Sequence, residues 1–300
     1  MRYSLSSRFR GTFLGAVTGL DRYNTVIPKS FSDATELKQS AQQSKFKVER
    51  LVVIGAENLI ALGRFEANDW HKTFIKNLGE DIKNYPPTAI LATLPIALFY
   101  HENEIKLRQN LQLALVALGQ DDPTIQDGAL AVGYAIAQSL KEKLNGVTLI
   151  EQTITFLGTQ TQISQQLVQV QTLLKQQASL ERAVTQLSKD NQPTTAIALA
   201  FYCFLSTLED FRLSVVRAAQ TSPQPQLTTA IAGALSGAYN SVSAIPISWR
   251  LADDASLAGG EAEILQISDS LVAVWSGVYN QAIHPSEVTA IAAPRVIRPR

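Results

Sequence analysis

Residues 226–250 have the sequence Gln-Leu-Thr-Thr-Ala-Ile-Ala-Gly-Ala-Leu-Ser-Gly-Ala-Tyr-Asn-Ser-Val-Ser-Ala-Ile-Pro-Ile-Ser-Trp-Arg. A face of small residues, spaced i, i+3, i+4 and i+7 as on one side of a helix, is formed by Ala230, Gly233, Ala234 and Gly237. A glycine inside a helix costs about 0.5–1 kcal/mol relative to alanine. Two glycines on one face therefore indicate close packing against a second helix.

The N-terminal segment offers a matching surface. Gly11, Gly15 and Gly19 are four residues apart in a predicted helix over residues 8–20, so they also share one face. We expect this face to pack against the glycine face of residues 230–237.

Composition and charge narrow the class of protein. Of the 300 residues 46% are hydrophobic and 17% are charged, and 26 basic residues balance 26 acidic ones. A net charge of zero argues against a nucleic-acid or anionic membrane partner and favours small-molecule or protein partners. The most apolar run, Thr88–Tyr100, is too short to span a bilayer. The single cysteine, Cys203, lies in an apolar run and is predicted to be a buried thiol. We expect a cytoplasmic protein.

The hydrophobic periodicity predicts helices throughout and no strand, so the expected fold is all-α. Residues 21–44 are predicted to be a long loop with a short helix near 36–43, and Asn68 is predicted to cap the helix that follows it. One helical domain is expected over 1–284, followed by a disordered basic tail over 285–300. The further helices are predicted over 48–62, 69–78, 88–100, 102–118, 123–144, 148–157, 194–208, 211–220 and 262–282.

Residues 162–189 form a long amphipathic segment rich in glutamine, with apolar residues in an approximate heptad pattern. The pattern is typical of a hairpin or an outer helix that covers the core, and an arm that binds a partner is the alternative.

Three stretches carry a more specific signal. They are Arg8-Phe-Arg-Gly-Thr-Phe-Leu-Gly-Ala-Val-Thr-Gly-Leu-Asp21, Pro87-Thr-Ala-Ile-Leu-Ala-Thr-Leu-Pro-Ile-Ala-Leu-Phe-Tyr-His101, and Ala230-Ile-Ala-Gly-Ala-Leu-Ser-Gly-Ala-Tyr followed by Ala244-Ile-Pro-Ile-Ser-Trp249. In content and order they resemble the ADP-ribosylglycohydrolase family. The resemblance covers roughly residues 8–280 and implies a single orthogonal bundle of helices.

The resemblance also implies a chemistry, which is hydrolysis of an ADP-ribose glycosidic bond at a site that holds two magnesium ions. The family draws its metal ligands from a Gly-Asp in the first helix, a Thr-Asp-Asp-Thr start to an early helix, and a Gly-Gly-Asp-x-Asp-Thr loop before the last glycine-rich helix. Aligned back from Gly233, that loop falls on residues 222–227, where Gln224 and Gln226 replace its two carboxylates.

The other two ligand sources are altered as well. The Gly-Asp falls on Gly19-Leu20, although Asp21 is one residue away, and the early acidic pair falls on Lys47 and Val48. Amides and a lysine cannot hold two dications, because magnesium is usually bound through carboxylates. The implied cleft would be lined by Asp21, Lys47, Glu49, Glu57, Gln224, Gln226 and Thr228.

Three functions are consistent with this pattern. The first is a non-catalytic, magnesium-free protein that binds a protein partner or an ADP-ribose-like ligand through the degenerate cleft or an exposed helix. The second is an active, magnesium-dependent hydrolase of ADP-ribosylated protein with relocated ligands at Asp21, Glu49, Glu57 or Asp122. The third is a structural subunit.

Two other groups of polar residues suggest no further site. His71, His101 and His284 have no paired spacing, so no zinc site is expected. The pairs Asp121-Asp122 and Asp253-Asp254 are typical of helix caps, with a compensating cation site as the alternative.

Overall fold

A computed structural model of the protein describes residues 3–26, 49–79, 86–189, 194–222, 224–250 and 260–278, with the backbone alone at 21–26 and 86–88. Within these ranges the chain is helical and contains no strand, as predicted. The helices are α1 (Leu5–Val26), α2 (49–62), α3 (Ala67–Leu78), α4 (Pro86–Ala92), α5 (Leu94–Phe99), α6 (Glu104–Ala117), α7 (Pro123–Leu140), α8 (Leu149–Leu157), α9 (Gln162–Lys175), α10 (Leu180–Leu187), α11 (Thr195–Ser206), α12 (Phe211–Ala219), α13 (Pro225–Asn240), α14 (Ile247–Arg250) and α15 (Gly260–Ser276).

The centre of the fold is the antiparallel pair of α1 and α13, which meet through their glycine faces. Gly15 lies against Gly233, and a Cβ atom added at Gly15 would be 2.9 Å from the carbonyl carbon of Gly233. Gly11 lies in the same way against Gly237, and Gly19 against the backbone of Thr229. The predicted pairing of the two glycine faces is therefore confirmed, and the two backbones are in direct contact.

The remaining helices are layered around this pair. α13 also packs against α7, α11 and α12, and α1 packs against α15. α7 and α11 are buried along almost their whole length, so they are core helices rather than amphipathic surface helices. Among the described residues the buried apolar side chains form one connected core.

The buried side chain of Arg8 fastens the N-terminal end of α1 to the ends of two other helices. Its Nη1 donates to the carbonyl oxygens of Ser139 at 3.0 Å, Ala238 at 3.1 Å and Tyr239 at 3.0 Å. These carbonyls lie in the last turns of α7 and α13, where helical hydrogen bonding runs out and the helix dipole is negative. A single guanidinium group therefore donates hydrogen bonds to carbonyl oxygens at the C-terminal ends of both helices.

Residues 162–189 form the predicted hairpin, with α9 and α10 joined by a short turn. Ile163, Leu167, Val170 and Leu173 are buried, and α9 packs against α11. The buried amide of Gln166 binds the hydroxyl groups at the start of α11, accepting from Thr194 at 2.5 Å. The segment thus packs on the core as a hairpin, whereas partner binding by it stays a prediction.

The structure corrects three local predictions. α1 continues to Val26, so the loop predicted from residue 21 is wrong for its first six positions, and the short helix near 36–43 lies outside the described residues. α3 already begins at Ala67, so Asn68 lies inside the helix instead of capping it. The predicted helix 88–100 is two helices interrupted at Thr93, because Pro95 has no amide hydrogen and its ring excludes the carbonyl of Leu91.

We predict that Gly233→Ala lowers the free energy of unfolding by about 3 kcal/mol or more, because the added methyl group would overlap the backbone of Gly15. Gly133→Ala in α7 is the matched control, since its new methyl group would be crowded only by the flexible end of Leu111 and would make an ordinary contact with Ala97. There the gain in helix propensity of about 1 kcal/mol offsets the crowding. Urea unfolding measures both, and equal losses would contradict the contact between the backbones.

We predict that Arg8→Lys lowers the free energy of unfolding by about 2 kcal/mol, since an ammonium group cannot reach all the carbonyls that the guanidinium binds. Arg10→Lys is the control. Arg10 pairs with Asp269 at 2.5 Å, but both side chains are partly exposed, so its loss should be below about 1 kcal/mol. Thermal and urea unfolding would refute the prediction if the two variants were equally stable.

Candidate functional site

Two of the three segments that the resemblance assigns to the cleft meet at one end of the central helix pair. Gly19 of α1 lies against the backbone of Thr229, in the first turns of α13. Asp21 is two residues beyond Gly19, so its backbone lies within one helical turn of this contact. The α1–α13 register therefore brings Asp21 and the segment 224–228 to the same end of the bundle.

The first turn of α13 contains no acidic residue. Gln224 is exposed and stands at the N-cap position, where its side chain makes no capping hydrogen bond, and Gln226 is half-buried. Pro225 occupies the first helical position, which suits a residue without an amide hydrogen. The positions aligned with the family's carboxylates thus hold neutral amides at the start of a helix.

The two threonines that follow are engaged within their own helix. Thr228 is fully buried, and its hydroxyl donates to the carbonyl of Gln224 at 2.9 Å. The hydroxyl of Thr229 binds the carbonyls of Pro225 and Gln226. Both hydroxyl hydrogens are therefore used to close the first turn of α13.

The remaining candidates fall on or near α2. Glu49 lies at the first described position of this helix and is 7% exposed, whereas Glu57 is exposed. Lys47 and the side chain of Asp21 lie outside the described residues. The structure thus places one of these carboxylates, that of Glu49, in the protein interior, at the first described residue of α2.

Asp122 is the N-cap of α7. Its Oδ1 accepts a hydrogen bond from the backbone N–H of Thr124 at 2.8 Å, and the residue is exposed. The capping role predicted from the sequence is confirmed here, and the pair Asp253-Asp254 lies outside the described residues.

The described donors include no cluster that fits a pair of magnesium ions. In the described parts of the chain no group of three or more His, Cys, Asp and Glu side chains could hold a metal ion. At the first turn of α13 only amide, hydroxyl and backbone oxygens are available, and neutral donors do not offset the repulsion between two dications.

The side chains of Cys203 and His101 are packed in the protein interior. Cys203 is buried, and burial raises the pKa of its thiol to about 12, so the thiolate needed of a nucleophile does not form near neutral pH. His101 is buried too, with its ring 5.0 Å from that of Trp275. Its Nδ1 lies 2.7 Å from the carbonyl oxygen of Leu98, and since a carbonyl only accepts, Nδ1 carries the proton.

One buried acid, Asp127 in α7, is not among the residues predicted from the sequence. Its carboxylate accepts a hydrogen bond from the hydroxyl of Thr159 at 2.6 Å, and the residue is 5% exposed. The next residue, Gly128, packs against Ile90 of α4 and Ile197 of α11. The sequence signal for this residue was a single carboxylate within a helix of mostly apolar residues. A carboxylate in a buried helix needs a hydrogen-bonding or charged partner, so a partner for Asp127 could have been predicted.

No helix in the described residues is long and apolar enough to cross a membrane.

Comparison with known proteins agrees with this architecture. No match was found among curated protein sequences. A solved structure described as an ADP-ribosylglycohydrolase-related protein complex shares the fold with a TM-score of 0.61, at 14% identity, over 90% of this chain and 99% of that chain. The predicted bundle of the ADP-ribosylglycohydrolase type is thereby confirmed.

The sequence itself also matches a family model. The model of the ADP-ribosylglycohydrolase family matches residues 24–281, which includes α13 and its first turn. The glycine face of α1 precedes the matched residues. The chain belongs to the ADP-ribosylglycohydrolase family.

Proposed function

We propose that this protein is a non-catalytic member of its family that acts as a binding or regulatory module. The observation that carries the proposal is the first turn of α13, where Gln224 and Gln226 stand at the positions that the resemblance aligns with the family's carboxylates. This turn lies beside the part of α1 to which the resemblance assigns a second ligand segment, and the proximity of the two segments supports the proposal.

The relocated ligands required by the alternative function receive little support. Asp122 already caps α7, and Glu57 is exposed. Among the candidates whose side chains the structure describes, only Glu49 combines a carboxylate with burial, and it is the first described residue of α2. One such acid cannot replace ligands from three segments, because each dication needs several oxygen donors.

The expected class of binding partner is argued from the net charge of the chain and from the similar solved structure. The overall charge is zero, which favours a protein partner or an ADP-ribose-like ligand over nucleic acid or a membrane. The solved relative is described as a protein complex, and this supports association as a role of the fold. Function in the cytoplasm, without a metal cofactor, is part of the proposal.

A magnesium titration by calorimetry, together with an assay of ADP-ribose release from an ADP-ribosylated protein, tests the proposal. We expect no saturable binding in the millimolar range and no release, because the first turn of α13 lacks carboxylates. The outcome that assigns a hydrolase is release with saturable magnesium binding that Glu49→Gln abolishes. Asp122→Asn is the matched control, since asparagine also caps helices and should leave the fold unchanged.

A further inference from the structure

The loop between α7 and α8 contains the only Asn-Gly dipeptide of the chain, Asn145-Gly146. Asn145 is exposed to solvent. Asparagine is a thermolabile residue, because its side-chain amide can react with the backbone nitrogen of the residue that follows it. A glycine in that following position leaves the nitrogen unhindered, since it has no Cβ atom. The dipeptide therefore joins a reactive side chain to the neighbour that shields it least.

The backbone nitrogen of Gly146 is not engaged by the fold. In the described parts of the chain its N–H group donates no hydrogen bond. The nearby N–H groups are used: Leu144 donates to the carbonyl oxygen of Gln138 at 3.1 Å. Val147 donates to the side-chain oxygen of Asn145 at 2.9 Å. A reaction at the nitrogen of Gly146 therefore breaks no hydrogen bond of the native structure.

The side chain of Asn145 is held in a position that favours this reaction. Its Oδ1 accepts from the N–H of the second residue along, Val147, which is the pattern of an Asx turn. The bond folds the side chain back onto the backbone that follows it and so keeps Cγ close to the nitrogen of Gly146. When that nitrogen attacks Cγ, negative charge develops on Oδ1, and a donor that is already in place stabilises it.

We propose that Asn145 is a site of spontaneous deamidation in the folded protein. The nitrogen of Gly146 loses its proton to a base from the solvent and forms a bond to Cγ of Asn145. The bond between Cγ and the side-chain nitrogen breaks, and that nitrogen leaves as ammonia. Water then opens the resulting five-membered succinimide at one of its two carbonyls, which gives either aspartate or isoaspartate. The site is independent of whether the cleft is catalytic.

The two products differ in their effect on the start of α8. The backbone carbonyl of Asn145 accepts from the N–H groups of Thr148 at 3.2 Å and Leu149 at 2.9 Å, so it closes the turn that leads into the helix. Aspartate keeps this carbonyl and places a negative charge near the helix N-terminus, where it is stabilising. Isoaspartate adds a methylene group to the main chain and moves the carbonyl. We therefore expect isoaspartate to loosen the first turn of α8, where Leu149 is buried.

Incubation of the folded full chain in neutral and in mildly alkaline buffer, followed by tryptic digestion and mass spectrometry, tests the proposal. The fragment 144–175 contains no asparagine other than Asn145. It should gain one mass unit with time, faster in the alkaline buffer, and separate into two products of equal mass. Asn240 is the internal control and should stay intact, because it is buried and the next nitrogen, that of Ser241, donates to the carbonyl of Gly237 at 2.9 Å.

Two variants and the unfolded chain complete the test. Asn145→Ser keeps a capping oxygen but has no amide, so the mass gain should vanish. Gly146→Ala should slow it several-fold, and the new methyl group would be crowded only by the flexible end of Leu208, at 3.2 Å. The folded chain should react at a rate comparable with that of the chain unfolded in urea. A folded chain in which Asn145 stays intact while the unfolded chain reacts overturns the proposal, as does a mass gain that persists in Asn145→Ser.

Discussion

The direct backbone contact between α1 and α13 is the constraint on which the rest of the structure depends. Gly11, Gly15 and Gly233 have no side chains, so the two helices approach more closely than any other residue would allow. Because both surfaces are rigid backbone, the register of the pair is fixed, and α7, α11, α12 and α15 pack around a defined axis. Arg8 adds a second fixed point at the opposite end from Asp21.

This arrangement separates what holds the fold together from what gives the family its chemistry. The glycine contact lies along the length of α13, whereas the positions that the resemblance assigns to metal ligands lie in its first turn. Neutral residues at positions 224 and 226 leave every contact between glycines in place. They also avoid the repulsion among acids that a metal ion would have to neutralise. The proposed loss of the metal ligands is therefore compatible with an intact helix pair.

The same separation explains how much of the structure the sequence reveals. The pairing of Gly15 with Gly233 could be predicted. Glycines on one helical face destabilise the helix unless they allow a second helix to approach closely, so two such faces are expected to pack together. The break at Thr93 was missed because the run around it is apolar on every side, so periodicity gives no boundary and only Pro95 marks it. The candidate site was predicted only by resemblance. Carboxylates that are missing leave no local pattern, and the assignment of Gln224 depends on counting back from Gly233 along the motif of the family that the chain resembles.

The low charge of the chain agrees with the proposed loss of the metal ligands. A site for two magnesium ions needs a local concentration of acids, because neutral oxygen donors do not offset the repulsion between the dications. In this chain only 17% of the residues are charged, and the first turn of α13 is neutral. A neutral helix start still offers backbone N–H groups and the positive end of the helix dipole, which favour an anionic ligand over a cation. The physical chemistry of this turn therefore favours a ligand of the opposite charge to the one that the family's chemistry requires there.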